Sequence, residues 1–287
     1  MLSVVPRGPL PSTPEQLVTS APELEALPVV AQRLFGLVRD PNATIEAMAR
    51  LLGTDQALVA SVLRYANSAR AMPNRRIASL PEAIARIGLR TLGEVVVRAC
   101  AAPVLDRGLP PYALPRRIAW RHSATVSEAT RGLARLARIG ATEEASVAGL
   151  LHDVGKFVLT SVVPEAAAEA VSVARSRRIP VWQAETQVIG FHHGHVGGAL
   201  LRSWGLPEHV AAAVAFHHEP DQTDNQLATV VAIADAAAHA VGAVGSGGAC
   251  PQPDWDPAAA GVLGAGVNPE QLEQFLDSLR CVEAEDL

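Results

Sequence analysis

Aromatic residues are scarce in this chain, 4% of the total, and there are only three cysteines. Cys100, Cys250 and Cys281 are too few and too scattered for a disulfide framework or a cysteine-based zinc site, so free thiols in a reducing compartment are expected. No apolar run reaches the roughly 18 residues that a membrane span needs. The opening stretch, MLSVVPRGPLPSTPEQ, has too short an apolar segment and too many prolines for a signal peptide, which makes the cytoplasm the expected location. An excess of positive charge is also missing. Twenty-four Lys and Arg against 29 Asp and Glu give a net charge of −5, so no global basic field advertises nucleic-acid binding. A small patch of Arg70, Arg75, Arg76, Arg86, Arg90 and Arg98 is interrupted by Glu82 and Glu94 and reads as a solvated face. A nucleic-acid partner is therefore not expected. Neither βαβ alternation nor an internal repeat is present.

What is abundant is alanine, leucine and valine, within a hydrophobic fraction of 49% over 287 residues. With so few aromatics, that composition favours helix over strand and predicts an all-α fold. Residues 1–22 hold five prolines and read as a loose leader. Residues 23–110 read as a run of short helices. Leu34, Leu37 and Val38 form one apolar stripe, Ile45, Met48, Leu51 and Leu52 a second, and Leu58, Val62 and Tyr65 a third. Asn67-Ser68 is expected to end that third helix by taking a left-handed conformation. Ser79-Leu80-Pro81-Glu82 has the pattern of a capping box, with Ile84, Ile87 and Leu92 following as the buried face.

The proline-rich stretch 103–115 is the best internal boundary, and residues 111–287 form the second half. Within it, 116–139 and 142–163 read as long helices. Further helices follow around Trp182 and at 196–203, 208–217 and 225–241. The glycine- and alanine-rich stretch 242–266 reads as a flexible excursion before a last helix at 269–279.

Eight of the nine histidines lie between positions 122 and 218. His152 and Asp153 are adjacent in Gly-Leu-Leu-His-Asp-Val-Gly-Lys, residues 149–156, after an apolar run that predicts a buried helix. A buried ionised carboxylate must be paired or metal-bound. Gly155 permits close approach of another backbone or a ligand, and Lys156 supplies a cation suited to a phosphate oxygen. The octapeptide alone leaves two readings equally open. One is a corner of a metal site; the other is a hydrogen-bonded core pair with Lys156 reaching solvent. Asp235 is a second isolated acid on an apolar helix and needs a partner for the same reason. His122, His193, His217 and His218 are the remaining candidates, while His209 and His239 read as solvated surface. Imidazole and carboxylate donors together suit Fe, Mn or Zn, among which the sequence does not choose.

The order His122, His152-Asp153, His193, His217-His218, Asp235 resembles the ligand order of the HD superfamily of metal-dependent phosphohydrolases. Leu27-Pro28, Asp55-Gln56-Ala57-Leu58, Leu63-Arg64-Tyr65-Ala66-Asn67-Ser68, Ile77-Ala78-Ser79-Leu80 and residues 83–89 (AIARIGL) are similar to the signature of HDOD domains, the HD-related output domains of bacterial signalling proteins. That resemblance implies an N-terminal helical subdomain packed on an HD-like helical subdomain. It also implies a bacterial signal-transduction role, exerted by binding a signalling protein partner or a nucleotide. Members commonly lack parts of the metal set, whereas this chain keeps all of it. Glu219-Pro220-Asp221-Gln222 follows the histidine pair with no Gly-Tyr-Pro, a departure from the HD-GYP subgroup that argues against its cyclic di-GMP hydrolysis. The alternative to an output module is a metal-dependent phosphohydrolase or phosphodiesterase. In it Lys156 would be the catalytic cation, with Arg121 assisting, and Asp153 or a water would bridge two ions.

Overall fold

The structure, a computed structural model, describes residues 10–21, 24, 29–40, 42–68, 76–140 and 142–240. The expected excursion at 242–266 and the last helix at 269–279 lie outside the described residues, as do Leu27-Pro28, Arg70, Arg75, Cys250 and Cys281. Every extended regular element among the described residues is helical, and the only strand-like feature is an isolated bridge between Leu109 and Leu114. None of these helices is long and apolar enough to cross a membrane.

The first group of helices is α1 (Pro14–Thr19), α2 (Val29–Arg39), α3 (Ile45–Leu52), α4 (Gln56–Ala66) and α5 (Leu80–Leu105). Their starts are written in the sequence. The side chains of Thr13, Thr44, Asp55 and Ser79 each accept a hydrogen bond from a backbone N–H in the first turn that follows. Of the expected stripes, Leu34, Met48, Leu52, Leu58, Val62, Ile84 and Leu92 are at 3% exposure or less, while Leu37, Val38, Ile45, Leu51, Tyr65 and Ile87 are half-buried against the same core. Glycine at position 88 adopts φ +78°, which breaks α5 into two segments. Pro103 lies inside α5 rather than opening a linker, and the chain leaves the helix only at Asp106.

Three local expectations need correction. Residues 14–19 do not belong to a loose leader: α1 buries Leu17 and Val18 against the second half of the chain. Asn67 ends α4 without left-handed geometry, at φ −98° and ψ 0°. Its amide instead donates to the carbonyls of Leu63 and Ile77 and accepts from the Ile77 N–H, stitching two backbone segments ten residues apart. The stretch 142–163 is not one helix but two, α7 (Thr142–Leu151) and α8 (Val154–Val162), with His152 and Asp153 in the turn between them.

The remaining elements are a short 3-10 turn at Pro110–Tyr112, α6 (Ile118–Leu136), α9 (Pro164–Arg177), α10 (Val181–Ile189), α11 (His193–Ser203), α12 (Glu208–Ala215) and α13 (Gln226–Ala240). Helix α6 packs along α7 and α13, α11 packs on α8 and α12, and α5 reaches across to α7. One continuous core of buried Leu, Val, Ile and Ala links these elements with the N-terminal helices. A Cβ on Gly155 would overlap the His193 carbonyl oxygen and the Gly197 amide nitrogen, so α8 and α11 meet backbone to backbone there. That contact brings the His152-Asp153 turn against the first residue of α11.

Candidate metal centre

All seven side chains singled out by the sequence converge between α6, α8, α11, α12 and α13. His122 comes from α6, His152 and Asp153 from the α7–α8 turn, and His193 from the start of α11. His217 and His218 follow the end of α12, and Asp235 lies on α13. All except His218, which is half-buried, are at most 7% exposed.

The donors fall into two groups that share Asp153. Around one, His122 Nε2 lies 3.2 Å from His152 Nε2, 3.1 Å from Asp235 Oδ1 and 3.8 Å from Asp153 Oδ2. Around the other, His193 Nε2 lies 3.1 Å from Asp153 Oδ1 and 2.9 Å from His218 Nε2. His217 stands beside His218, with ring centroids 3.9 Å apart, and edge-on to His152 at 5.3 Å. Ligand atoms of His193, His217 and His218 lie within 4.8 Å of one another, as do those of His122, His152 and Asp153. A turn rather than a continuous helix at residues 152–153 lets both side chains face inward, where consecutive helical residues would diverge by about 100°.

Electrostatics hold the two carboxylates and His217 in protonation states that donate to cations, whereas Glu185 and Asp153 push the His193 imidazole up against its burial. Burial opposes ionisation of Asp153, but the Lys156 ammonium 2.7 Å away, with His152 and His193, holds its carboxyl well below the usual range. Asp235 is likewise held well down against its burial, chiefly by the charge of the neighbouring His239. Burial, reinforced by His152 and His193, pushes the His217 imidazole down to about 3, leaving it neutral. The Nδ1 atoms of His152 and His217 donate to the carbonyls of Gly149, at 2.8 Å, and Val214, at 2.7 Å. Each ring therefore presents a bare Nε2 lone pair to the centre. The His217 Nε2 and Asp235 Oδ1 are buried without a hydrogen-bond partner. Orphaned acceptors of this kind, aimed at other donors, fit a divalent cation: neutral imidazoles and ionised carboxylates are the ligands such ions take.

Lys156 does not reach solvent. It is 5% exposed, paired with Asp153, and its ammonium lies 5.9 Å from the Tyr112 ring centroid. Arg121 is not in the centre: it is exposed on α6, about 100° around the helix from His122. His209 is on the surface as expected, paired with Glu144 at 2.8 Å. His239 is not solvated surface; its side chain is 12% exposed, lies 3.1 Å from Asp235 and contacts the His122 ring edge. Sequence reasoning also missed Glu185 on α10, which is fully buried and hydrogen-bonded to His193. The signal was available, since Val181, Glu185 and Ile189 share one buried helix stripe and an acid there needs a partner.

A neighbouring trio, His192, His195 and Glu219, also has donor atoms within 4.8 Å of one another. Its hydrogen bonding speaks against a metal. The Nδ1 of His192 accepts from the Gly194 N–H and caps α11, so Nε2 carries the proton and donates to Glu219 at 3.1 Å.

The HDOD domain model matches residues 24–220, well over half of the chain. The chain belongs to the HDOD family. An HDOD domain protein of unknown function from Geobacter sulfurreducens shares 25% identity with it at a TM-score of 0.73, over 93% of this chain and 96% of that one. An uncharacterised protein of Treponema pallidum is 29% identical over 73% of this chain. The chain spans only 42% of the length of that Treponema relative. A shorter stretch, 89 residues or 31% of the chain, is 35% identical to ribonuclease Y of Thermus thermophilus, of which it covers 11%. The HDOD fold expected from the sequence is thus the fold observed, and its His/Asp clusters suit a divalent ion.

Proposed function

We propose that this HDOD protein is a bacterial signal-transduction output module. In this reading its HD-like half holds one or two divalent ions through His122, His152, Asp153, His193, His217, His218 and Asp235. The observation that carries the reading is the pinned imidazole pair. His152 and His217 each spend Nδ1–H on a backbone carbonyl, and the freed Nε2 of His217 is buried with no protein partner. A core histidine kept only for packing would find a hydrogen bond for that atom. A module rather than an enzyme is favoured by burial. Six of the seven donors are nearly inaccessible, His218 being half-buried, and the one cation suited to a phosphate, Lys156, is already committed to Asp153. Such a centre suits an ion that sets the stability or shape of a surface read by a signalling protein or a nucleotide.

The test is elemental analysis of the protein as purified and after reconstitution with Mn²⁺, Fe²⁺ or Zn²⁺, beside His217→Ala. We expect retained metal at stoichiometric levels in the wild type, the loss of at least half of it in the variant, and a chelator-sensitive rise in Tm. An ion at 100 times its Kd adds about 2.7 kcal/mol. Absence of metal after every reconstitution overturns the reading.

The second reading, a phosphodiesterase, is favoured by one feature: the two oxygens of Asp153 face two separate donor groups. The partial likeness to ribonuclease Y points the same way. Bound ions would supply an activated water for attack on phosphorus. Asp153 and Asp235 would hold charge opposite them, and Lys156 would have to leave Asp153 to meet a phosphoryl oxygen. Metal-dependent hydrolysis of bis-p-nitrophenyl phosphate, abolished by Asp153→Asn, would promote this reading over the first.

A further inference from the structure

Glu185 is a fully buried carboxylate on α10, and its surroundings explain why a charge is kept there. Its Oε2 accepts two hydrogen bonds from a single residue, the backbone N–H of His193 at 2.8 Å and the ring Nδ1 of the same residue at 2.6 Å. Its Oε1 accepts from the Tyr112 hydroxyl at 2.7 Å. Holding the first N–H of α11 needs only a neutral acceptor, and burying an ionised group for that purpose alone would be costly. The ring contact is the one that uses the charge. With Nδ1–H directed at Glu185, the lone pair of His193 lies on Nε2, the atom that faces Asp153 and His218. Tyr112, in the 3-10 turn between α5 and α6, locks the free oxygen of the carboxylate and so fixes its rotamer.

We infer that Glu185 is a positioning residue for the metal centre. It selects the tautomer of His193, fixes the plane of the ring and raises its basicity toward a cation, while Tyr112 holds Glu185 in place. The inference rests on the metal-binding reading above and adds a residue that touches no ion. Outer carboxylates of this kind change metal affinity by about 10- to 100-fold when removed.

The test uses the full chain with Co²⁺ as probe, titrated by its visible absorption and by competition with a chelator. Glu185→Gln keeps the size and an acceptor oxygen but removes the charge. It should leave the metal-free protein folded, weaken Co²⁺ roughly 10- to 100-fold and shift the absorption band of the bound ion. Tyr112→Phe should weaken Co²⁺ in the same direction by a smaller factor. Glu208→Gln, at an exposed pair with Arg202, should change neither affinity nor band. A Glu185→Gln variant that is folded and binds Co²⁺ with wild-type affinity and spectrum overturns the role of Glu185 and leaves the metal centre standing. If the wild type itself takes up no Co²⁺, the metal-binding reading falls and this inference falls with it.

Discussion

Gly155 sits where α8 and α11 touch backbone to backbone, and nothing larger than hydrogen fits. The atoms that a Cβ would strike, the His193 carbonyl and the Gly197 amide, belong to main chain and cannot swing aside. Gly155→Ala must therefore separate the two helices, and with them the His152-Asp153 turn from His193. We expect a loss of about 3 kcal/mol in denaturant unfolding, at the upper end for overpacking. Gly36→Ala is the matched control. Gly36 is exposed on α2 with nothing within 4 Å of the added carbon, so helix propensity should give a gain of roughly 0.5–1 kcal/mol. If both substitutions move stability by similar small amounts, the close approach at Gly155 is not what joins these helices.

At the scale of single elements, side chains decide where helices stop. Asn67 makes three hydrogen bonds to backbone groups of Leu63 and Ile77, replacing contacts that a continuous helix or strand would otherwise supply. Asn67→Ala leaves those groups short of partners in a half-buried setting, at a cost of about 1–3 kcal/mol by chemical denaturation. Asn67→Asp should recover part of that loss, since one carboxylate oxygen can still accept from the Ile77 N–H. Equal stability of the alanine variant and wild type would mean that water replaces the stitch.

The same elements show what could be read before the structure. Helix positions and buried faces followed from stripes such as that of Met48 and Leu52, because burial imposes a 3.6-residue period on the chain itself. The seven centre residues were legible because their order along the chain resembles the HD ligand order, with His152-Asp153 adjacent in an apolar run and Asp235 conspicuous on an apolar helix. The break at residues 152–153 was not legible. Apolar residues flank His152-Asp153 on both sides, Val147 to Leu151 before and Val154 to Leu159 after with only Lys156 between, so the pattern reads as one helix. The backbone contact of Gly155 with α11 is a tertiary feature that no local pattern announces. His239 was read as surface although it lies four residues after Asp235, on the same helical face.

For the whole molecule, a buried ion pair spans the join between the first and second groups of helices. Glu94 on α5 meets Arg131 on α6, and Ser146 on α7 hydrogen-bonds to both. Glu94 and Arg131 are 3% and 7% exposed, so neither charge has water to fall back on. Glu94→Leu should then leave the buried guanidinium with only Ser146 and the more distant Glu128, at 3.8 Å, as partners, costing roughly 3 kcal/mol. The double variant Glu94→Leu/Arg131→Met removes both charges and should return to within about 1–2 kcal/mol of wild type, or exceed it. The strong non-additivity is the signature of a pair acting as a unit. Since α5 also packs along α7, the two groups of helices share buried surface on both sides of this pair. Far-UV dichroism and tryptophan fluorescence, which reports Trp120, Trp182 and Trp204 in the second group together with Trp255 outside the described residues, should therefore give one coincident unfolding transition in the wild type. In Glu94→Leu the two signals should separate as the helices before α6 loosen first. A single-variant cost below about 1 kcal/mol, with the signals still coincident, would show that apolar packing alone joins the two groups and that the ion pair contributes only to their alignment.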